Sequence, residues 1–416
     1  TGEVEGLSPS ITTATIASDL AGNTVTDINT AVVTPRAPAA GYVPPGVETF
    51  QRQTRGTGSV DVGIVSPAAI QGGKTYTVDF VNPDVWNTAL SPTYTLKRDG
   101  AAVEQGTITP GLNEISADDG FSLTIQAPEA ITVPDSTVRL MNAGQTNYRP
   151  VVRPGTVTPV VTTARFIPFP HDYEVRFVGG APDTSLRLAF GQAIAPLPFY
   201  VQNLTENRRQ RVILVEDVDS LRNGRYDHGD LIVLVDGETP GATPTLTGGR
   251  WRAGWAFRLA PPDPVIDVGV KPIAPPTGTI LRFRTERPFA TGDRLTLRFT
   301  APALDEARAR SAIDSVYVVP NPYVAASRFE PSNPYLNGRG ARRLMFMGLP
   351  PRCTVRIYTI TGELVQTLQK DDGVDNGQLA WDLTTKDGMN IAYGIYLFHV
   401  NAPGVGETVG RFAVIK

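Results

Sequence analysis

The sequence predicts an all-β fold, a string of β-sandwiches, on three observations. Short apolar runs alternating with polar residues recur along most of its 416 residues. Turn formers separate those runs, with 40 glycines and 36 prolines in the chain. One stretch only, Ala303-Leu-Asp-Glu-Ala-Arg-Ala-Arg-Ser-Ala-Ile313, gathers good helix formers without glycine or proline. A period of two bounded by glycine and proline marks half-buried strands joined by turns. The length suits about two to four domains.

The first expected part is an extended N-terminal arm, residues 1–56. Its first 50 residues hold nine threonines, one arginine, no lysine, and only Tyr42 and Phe50 as aromatics. β-prone patches at Ile11-Thr-Thr-Ala-Thr-Ile16 and Thr30-Ala-Val-Val-Thr34 are interrupted by prolines and by Ala-Gly-Asn. Such a segment buries too little to fold alone. It takes a fixed shape only when laid on another surface, and strand addition to a sheet edge suits its composition.

Residues 57–150 read as β-sandwich domain 1. Val60, Val62 and Ile64 alternate with polar neighbours, as do Tyr76, Val78 and Phe80. Arg98-Asp99-Gly100 between two strand patterns signals a hairpin. Phe121-Ser-Leu-Thr-Ile125 and Thr137-Val-Arg-Leu140 complete the domain. Tyr148-Arg-Pro-Val-Val-Arg-Pro-Gly155 is the expected boundary, because its prolines resist strand pairing. Residues 151–312 read as β-sandwich domain 2, with strands near 173–177, 199–202, 211–215, 231–235, 251–257, 280–284 and 294–299, and the helical run as connector. Residues 313–416 form the last domain.

Composition excludes several functions. The net charge of −3 gives no general attraction to nucleic acid. The split is uneven: residues 1–150 carry 8 basic against 15 acidic side chains, and residues 151–416 carry 30 against 26. No apolar stretch approaches the length of a membrane span. Thr1-Gly-Glu-Val-Glu lacks a basic start and apolar stretch, so the reading is a mature chain or a fragment. Cys353 is the lone cysteine, and its alternating surroundings predict a buried strand thiol.

The strongest chemical candidate is Glu216-Asp-Val-Asp-Ser-Leu-Arg-Asn-Gly-Arg-Tyr-Asp-His-Gly-Asp230. Two strong strand patterns bracket it, and hairpin connections normally take about two to five residues. Asp217, Asp219, Asn223, Asp227 and Asp230 offer closely spaced hard oxygens, suited to a structural Ca²⁺. The spacing departs from an EF-hand. The alternative is a metal-free loop of Asx turns tied by Arg222 and Arg225.

Other candidates are weaker. Strand alternation puts Trp251, Ala253, Trp255 and Phe257 on one face, which is either a sugar-stacking platform or ordinary core. His171, His228 and His399 have no metal-ligand spacing. Asn203-Leu-Thr205 fits an N-glycan acceptor, and Asp135-Ser-Thr, Asp219-Ser-Leu and Asp314-Ser-Val fit O-glycan acceptors.

The last hundred residues carry a pattern of their own. Ser315-Val-Tyr-Val-Val-Pro-Asn-Pro-Tyr323 is followed by Leu349-Pro-Pro, Cys353-Thr-Val-Arg-Ile-Tyr358, Thr361-Gly-Glu-Leu-Val365, Gly377-Gln-Leu-Ala-Trp381, Gly394-Ile-Tyr-Leu-Phe398 and Gly410-Arg-Phe-Ala-Val-Ile-Lys416. This order resembles the C-terminal immunoglobulin-like sorting domain of proteins exported by the type IX secretion system of Bacteroidota. It also resembles the sandwich of flagellar hook-capping proteins. The resemblance implies tandem immunoglobulin-like β-sandwich domains, an extracellular or cell-surface address, and the secretion machinery as a partner during export. It implies no activity. In that family the sorting domain is usually removed after export; here it is read as retained.

No catalytic constellation is visible in the sequence, so the expected function is a non-enzymatic structural subunit of a surface filament or layer. The arm would add a strand to a neighbouring copy, making self the main partner. The alternative is a secreted glycan- or surface-binding adhesin, and a third reading is a hydrolase whose catalytic part lies outside this chain.

Overall fold

The structure is a computed structural model that describes residues 16–18, 24–26, 37–116, 119–155, 165–187, 194–216, 224–244, 251–324, 330 and 342–415. The fold is all-β, and Glu306–Ala312 is the one α-helix among the described residues. The chain divides into two compact units, Val43–Ala303 and Thr1–Tyr42 with Leu304–Lys416.

The Val43–Ala303 unit holds two sandwiches, one inserted into the other. The first pairs a five-stranded sheet, in the order Gly46–Gln53, Arg294–Thr300, Thr75–Val81, Thr93–Arg98 and Ala101–Thr107, with a sheet of Ser59–Ile64, Phe121–Ala127 and Gly111–Ser116. Tyr76, Val78, Phe80, Leu123, Ile125, Leu295, Leu297 and Phe299 meet between them, all buried. The expected hairpin forms at Asp99 and Gly100, whose φ values of 48° and 87° give the left-handed pair that a two-residue turn needs.

The second sandwich lies between residues 139 and 283 of the chain. One sheet runs Arg139–Met141, Ile280–Phe283, Tyr173–Phe177, Phe199–Asn203 and Arg208–Arg209; the other runs Arg149–Pro154, Arg252–Ala260, Leu231–Asp236 and Arg211–Val215. All six residues of Leu231–Asp236 are buried. Ile232 and Leu234 enter the main core with Tyr173, Phe199 and Phe257. Val233 and Val235 face the other way, against Ile213, Trp251 and Ala253.

This nesting moves three expected boundaries. Gly46–Gln53, assigned to the arm, is the outer strand of the first sandwich, paired with Arg294–Thr300. Arg294–Thr300 itself, assigned to the second domain, lies in the first sheet beside Thr75–Val81. Thr137–Leu140, assigned to the first domain, feeds Arg139–Met141 of the second. The expected boundary at 148–155 supplies a strand, Arg149–Pro154, paired with Arg252–Ala260. Pro150 and Pro154 are tolerated because the strand sits at the margin of its sheet, where an outward N–H has no partner to lose.

The other unit centres on the C-terminal sandwich. Tyr317–Val319, Leu344–Met347 and Leu379–Trp381 face a sheet ordered Tyr323–Val324, Gly406–Ile415, Gly394–Ala402, Arg352–Thr359 and Leu364–Asp371. Leu344, Phe346, Val355, Ile357, Trp381, Phe398 and Phe412 fill its core. Cys353 is buried there, as expected, and burial pushes its thiol up to about 11. The helix is shorter than its sequence run and starts at Asp305, whose carboxylate accepts from the Arg308 N–H at 3.0 Å.

The described part of the leader lies on its own chain. Gly377 N donates to Ala37 O at 2.7 Å, Ala39 N to Val374 O at 3.1 Å and Ala40 N to Leu349 O at 3.1 Å. The reading that the arm gains its shape from another molecule therefore fails for residues 37–53. Of the two β-prone patches, only Ile16 is described, in a short hairpin of Ile16–Ser18 with Thr24–Thr26; the rest lie outside the described residues.

Candidate functional site

The acidic loop closes the hairpin between Arg211–Val215 and Leu231–Asp236, with Val215 opposite Leu231. Asp217, Asp219 and Asn223 lie outside the described residues. Asp227 and Asp230 are brought together: Asp230 Oδ2 accepts from Asp227 N at 2.7 Å, and Asp230 N donates to Asp227 O at 3.0 Å. Glu216 Oε1 accepts from Gly224 N at 2.7 Å. Two of the loop's acids thus accept from backbone N–H groups within the loop. Among the described residues no three His, Cys, Asp or Glu side chains gather as metal ligands. Tyr226 and His228 anchor the loop, Tyr226 edge-on to Phe199 at 5.0 Å and His228 at 5.3 Å from Tyr148. Burial lowers the His228 pKa and raises that of Tyr226.

The tryptophans are core. Trp251 is 1% and Trp255 4% exposed, so neither offers a stacking platform. Nor do they share a face. Between Val233 and Val235 the partner strand advances from Ala256 to Ala253, one residue more than the ladder needs. This bulge breaks the alternation. Trp251 and Ala253 pack with Val233 and Val235, whereas Trp255 and Phe257 enter the main core. Gly254 sits at the bulge because a Cβ there would lie 2.1 Å from the Phe169 ring. Trp255 Nε1 donates to Phe169 O at 2.8 Å. The Asn203 acceptor motif is likewise internal: Asn203 is fully buried and its Oδ1 accepts from Glu206 N.

The densest polar chemistry lies where the two nested sandwiches meet. Arg287 Nη1 pairs with Asp172 Oδ1 at 2.6 Å, and its Nε donates to Arg55 O at 2.7 Å. Thr57 and Arg287 exchange hydrogen bonds, N to O at 3.1 Å and N to Oγ1 at 2.9 Å. Trp86, from a loop of the first sandwich, stacks on Phe169 of the second at 5.4 Å and 13°. Behind this seam Glu206 Oε2 pairs with Arg208 Nε at 2.7 Å, and Arg208 Nη2 with Asp236 Oδ2 at 2.6 Å. His171 Nε2 stands 3.7 Å from Glu206 Oε1. Burial drives the His171 pKa down to about 4, and the cations Arg208, Arg287 and Arg55 add to the effect against Glu206. Burial also raises the Asp236 carboxyl, against the pull of Arg208.

Sequence reasoning missed this network, because its members come from five separate segments. It also missed two surface features. Gly46–Gln53 has one sheet neighbour, and seven of its eight residues are exposed, with Val47 at 43% and Phe50 at 39%. Val265, Ile266 and Val268 stand 78–80% exposed on a loop whose backbone is fixed by Asp263 Oδ1, which accepts from Val265 N and Ile266 N.

No family model matches the chain, and no curated protein matches it. Among solved structures it is similar to PorZ, a bacterial surface component of the type IX secretion system of Porphyromonas gingivalis, at 16% identity over 57% of this chain and 22% of that one, TM-score 0.19. It is also similar to dimeric latent PorU of Porphyromonas gingivalis, at 13% identity over 90% of this chain and 34% of that one, TM-score 0.16. A polysaccharide lyase matches at 13% identity over 84% of this chain and 40% of that one, TM-score 0.14. The chain therefore spans well under half the length of each. No helix among the described residues is long and apolar enough to cross a membrane, which says nothing of β-barrels.

Proposed function

We propose that the chain is a non-enzymatic structural subunit of an extracellular or cell-surface assembly, built by strand addition between copies. The observation that carries this reading is the exposed outer strand Gly46–Gln53, with one margin unpaired among the described residues and with Val47 and Phe50 open to a partner. An unpaired strand margin is a template for another chain, main-chain bonds giving affinity and alternate side chains giving register. The donor is confined to residues 1–36, since residues 37–53 are already used within the chain. A head-to-tail contact of this kind propagates unless rotation closes it.

Deleting residues 1–36 leaves a folded monomer on this account, measured by light scattering on a sizing column. Assemblies that survive the deletion would remove the mechanism. A longer deletion through residue 50 is a poor test, because it strips a strand from the first sandwich. Export through the type IX machinery, with the C-terminal sandwich retained, remains part of the proposal on the strength of the terminal motif order. So does a structural Ca²⁺ held by Asp217, Asp219, Asn223, Asp227 and Asp230, whose side-chain oxygens suit a hard cation. The adhesin reading loses its tryptophan platform and keeps one observation in its favour, the exposed apolar loop at Val265, Ile266 and Val268.

A further inference from the structure

A narrow cleft opens at the seam between the nested sandwiches, with about 240 Å³ of free space counting its mouth. Arg55, Asn87, His171, Thr205 and Arg287 line it, and its lining includes no carboxylate. Four of these side chains have hydrogen-bonding capacity to spare. The Arg55 guanidinium has no hydrogen bond or ion pair among the described residues. Asn87 accepts from Thr291 N through Oδ1, and its Nδ2 has no partner among the described residues. Thr205 Oγ1 accepts from Asp172 N and keeps its own hydrogen to give. His171, 4% exposed, has a buried Nδ1 with no hydrogen-bond partner among the described residues. Buried polar atoms are normally satisfied, so an unpartnered one beside a cleft points to a ligand there.

Charge then selects the ligand. Arg287 is neutralised by Asp172 at 2.6 Å, whereas Arg55 carries a positive charge with no counter-ion among the described residues. One uncompensated guanidinium matches a monoanion, and its planar fork matches the two oxygens of a carboxylate. The narrowness of the cleft restricts the ligand to a small head group with little bulk behind it. We propose that this seam is a binding site for a small monocarboxylate. Arg55 takes both oxygens, Asn87 Nδ2 and Thr205 Oγ1 donate to them from the walls, and the His171 ring closes the inner end. The site is independent of the assembly proposal, since none of its residues lies in the donor segment 1–36 or on the outer strand.

Three histidines make the test direct. Protein labelled with ¹⁵N in the imidazoles is titrated with acetate at constant ionic strength, with chloride as the comparison anion. A saturable shift of the His171 signals, absent from His228 and His399 and not reproduced by chloride, is the expected result. Arg55 is exposed at the surface, so Arg55→Gln should fold normally and weaken acetate binding by about tenfold. Arg55→Lys should recover part of that loss, because it restores the charge without the fork. No saturable shift at His171 would overturn the proposal. So would a shift of equal affinity in Arg55→Gln.

Discussion

Leu231–Asp236 and Gly46–Gln53 are both strands of the same unit, and they stand at opposite ends of what a strand can do. The first has a neighbour on each side and apolar packing on both faces; the second has one neighbour and seven exposed residues. Backbone geometry is shared, so the difference comes from cover. A strand covered on every side holds a fold together, whereas one left bare at a margin offers unspent hydrogen bonds to another chain.

Truncation should expose that difference most strongly. Leu234→Ala, at a fully buried position, should cost roughly 2–5 kcal/mol in urea unfolding. Phe50→Ala on the outer strand, 39% exposed, should cost about 1 kcal/mol or less. Equal losses would dissolve the comparison.

The seam gives the next effect. Arg208→Ala leaves Asp236 buried without its partner, and breaking such a pair costs roughly 3 kcal/mol or more. Arg298→Ala, whose partner Glu48 lies 3.9 Å away at the surface, should cost under about 1 kcal/mol. Thermal unfolding of both variants separates the buried tie from the exposed one.

A pH scan sharpens the account of His171. Its folded pKa of about 4 lies below the unfolded value of 6.5, so the unfolded chain takes the proton first. The neutral ring's contribution is complete above pH 6.5 and is lost as pH falls from 6.5 to about 4, up to roughly 3 kcal/mol. Asp236, raised by burial, acts in the opposite sense within the carboxylate range, so the quantity to measure is the difference between wild type and His171→Gln. That difference should shrink across the window; a constant offset would mean that His171 does not titrate in this way.

Calcium gives the smallest expected effect. If the loop after Val215 binds Ca²⁺, excess cation should raise the midpoint of unfolding, and Asp227→Asn with Asp230→Asn should abolish the rise. An unchanged midpoint with and without chelator leaves the loop as a set of Asx turns.

Much of the fold was legible because it is local. Leu231-Ile-Val-Leu-Val235 reads as a strand, and Arg98-Asp99-Gly100 reads as a hairpin, from neighbouring residues alone. The nesting was hidden for the opposite reason. Gly46, in a polar stretch resembling a linker, pairs with Thr300, 254 residues away. The tryptophan face was misread because a bulge at Gly254, needed for the Phe169 ring, shifts the alternation by one. The seam left no spacing signal, because Arg55, His171, Glu206, Asp236 and Arg287 meet only after both sandwiches close.

The central claim is that the bare margin of Gly46–Gln53 receives a neighbour's N-terminal segment. The direct measurement is the mass in solution of the double variant Val47→Lys with Phe50→Lys, beside wild type at matched concentration. Both positions are exposed, so the fold should survive, and the account predicts monomer where wild type forms larger species. A variant that assembles as wild type does would contradict it.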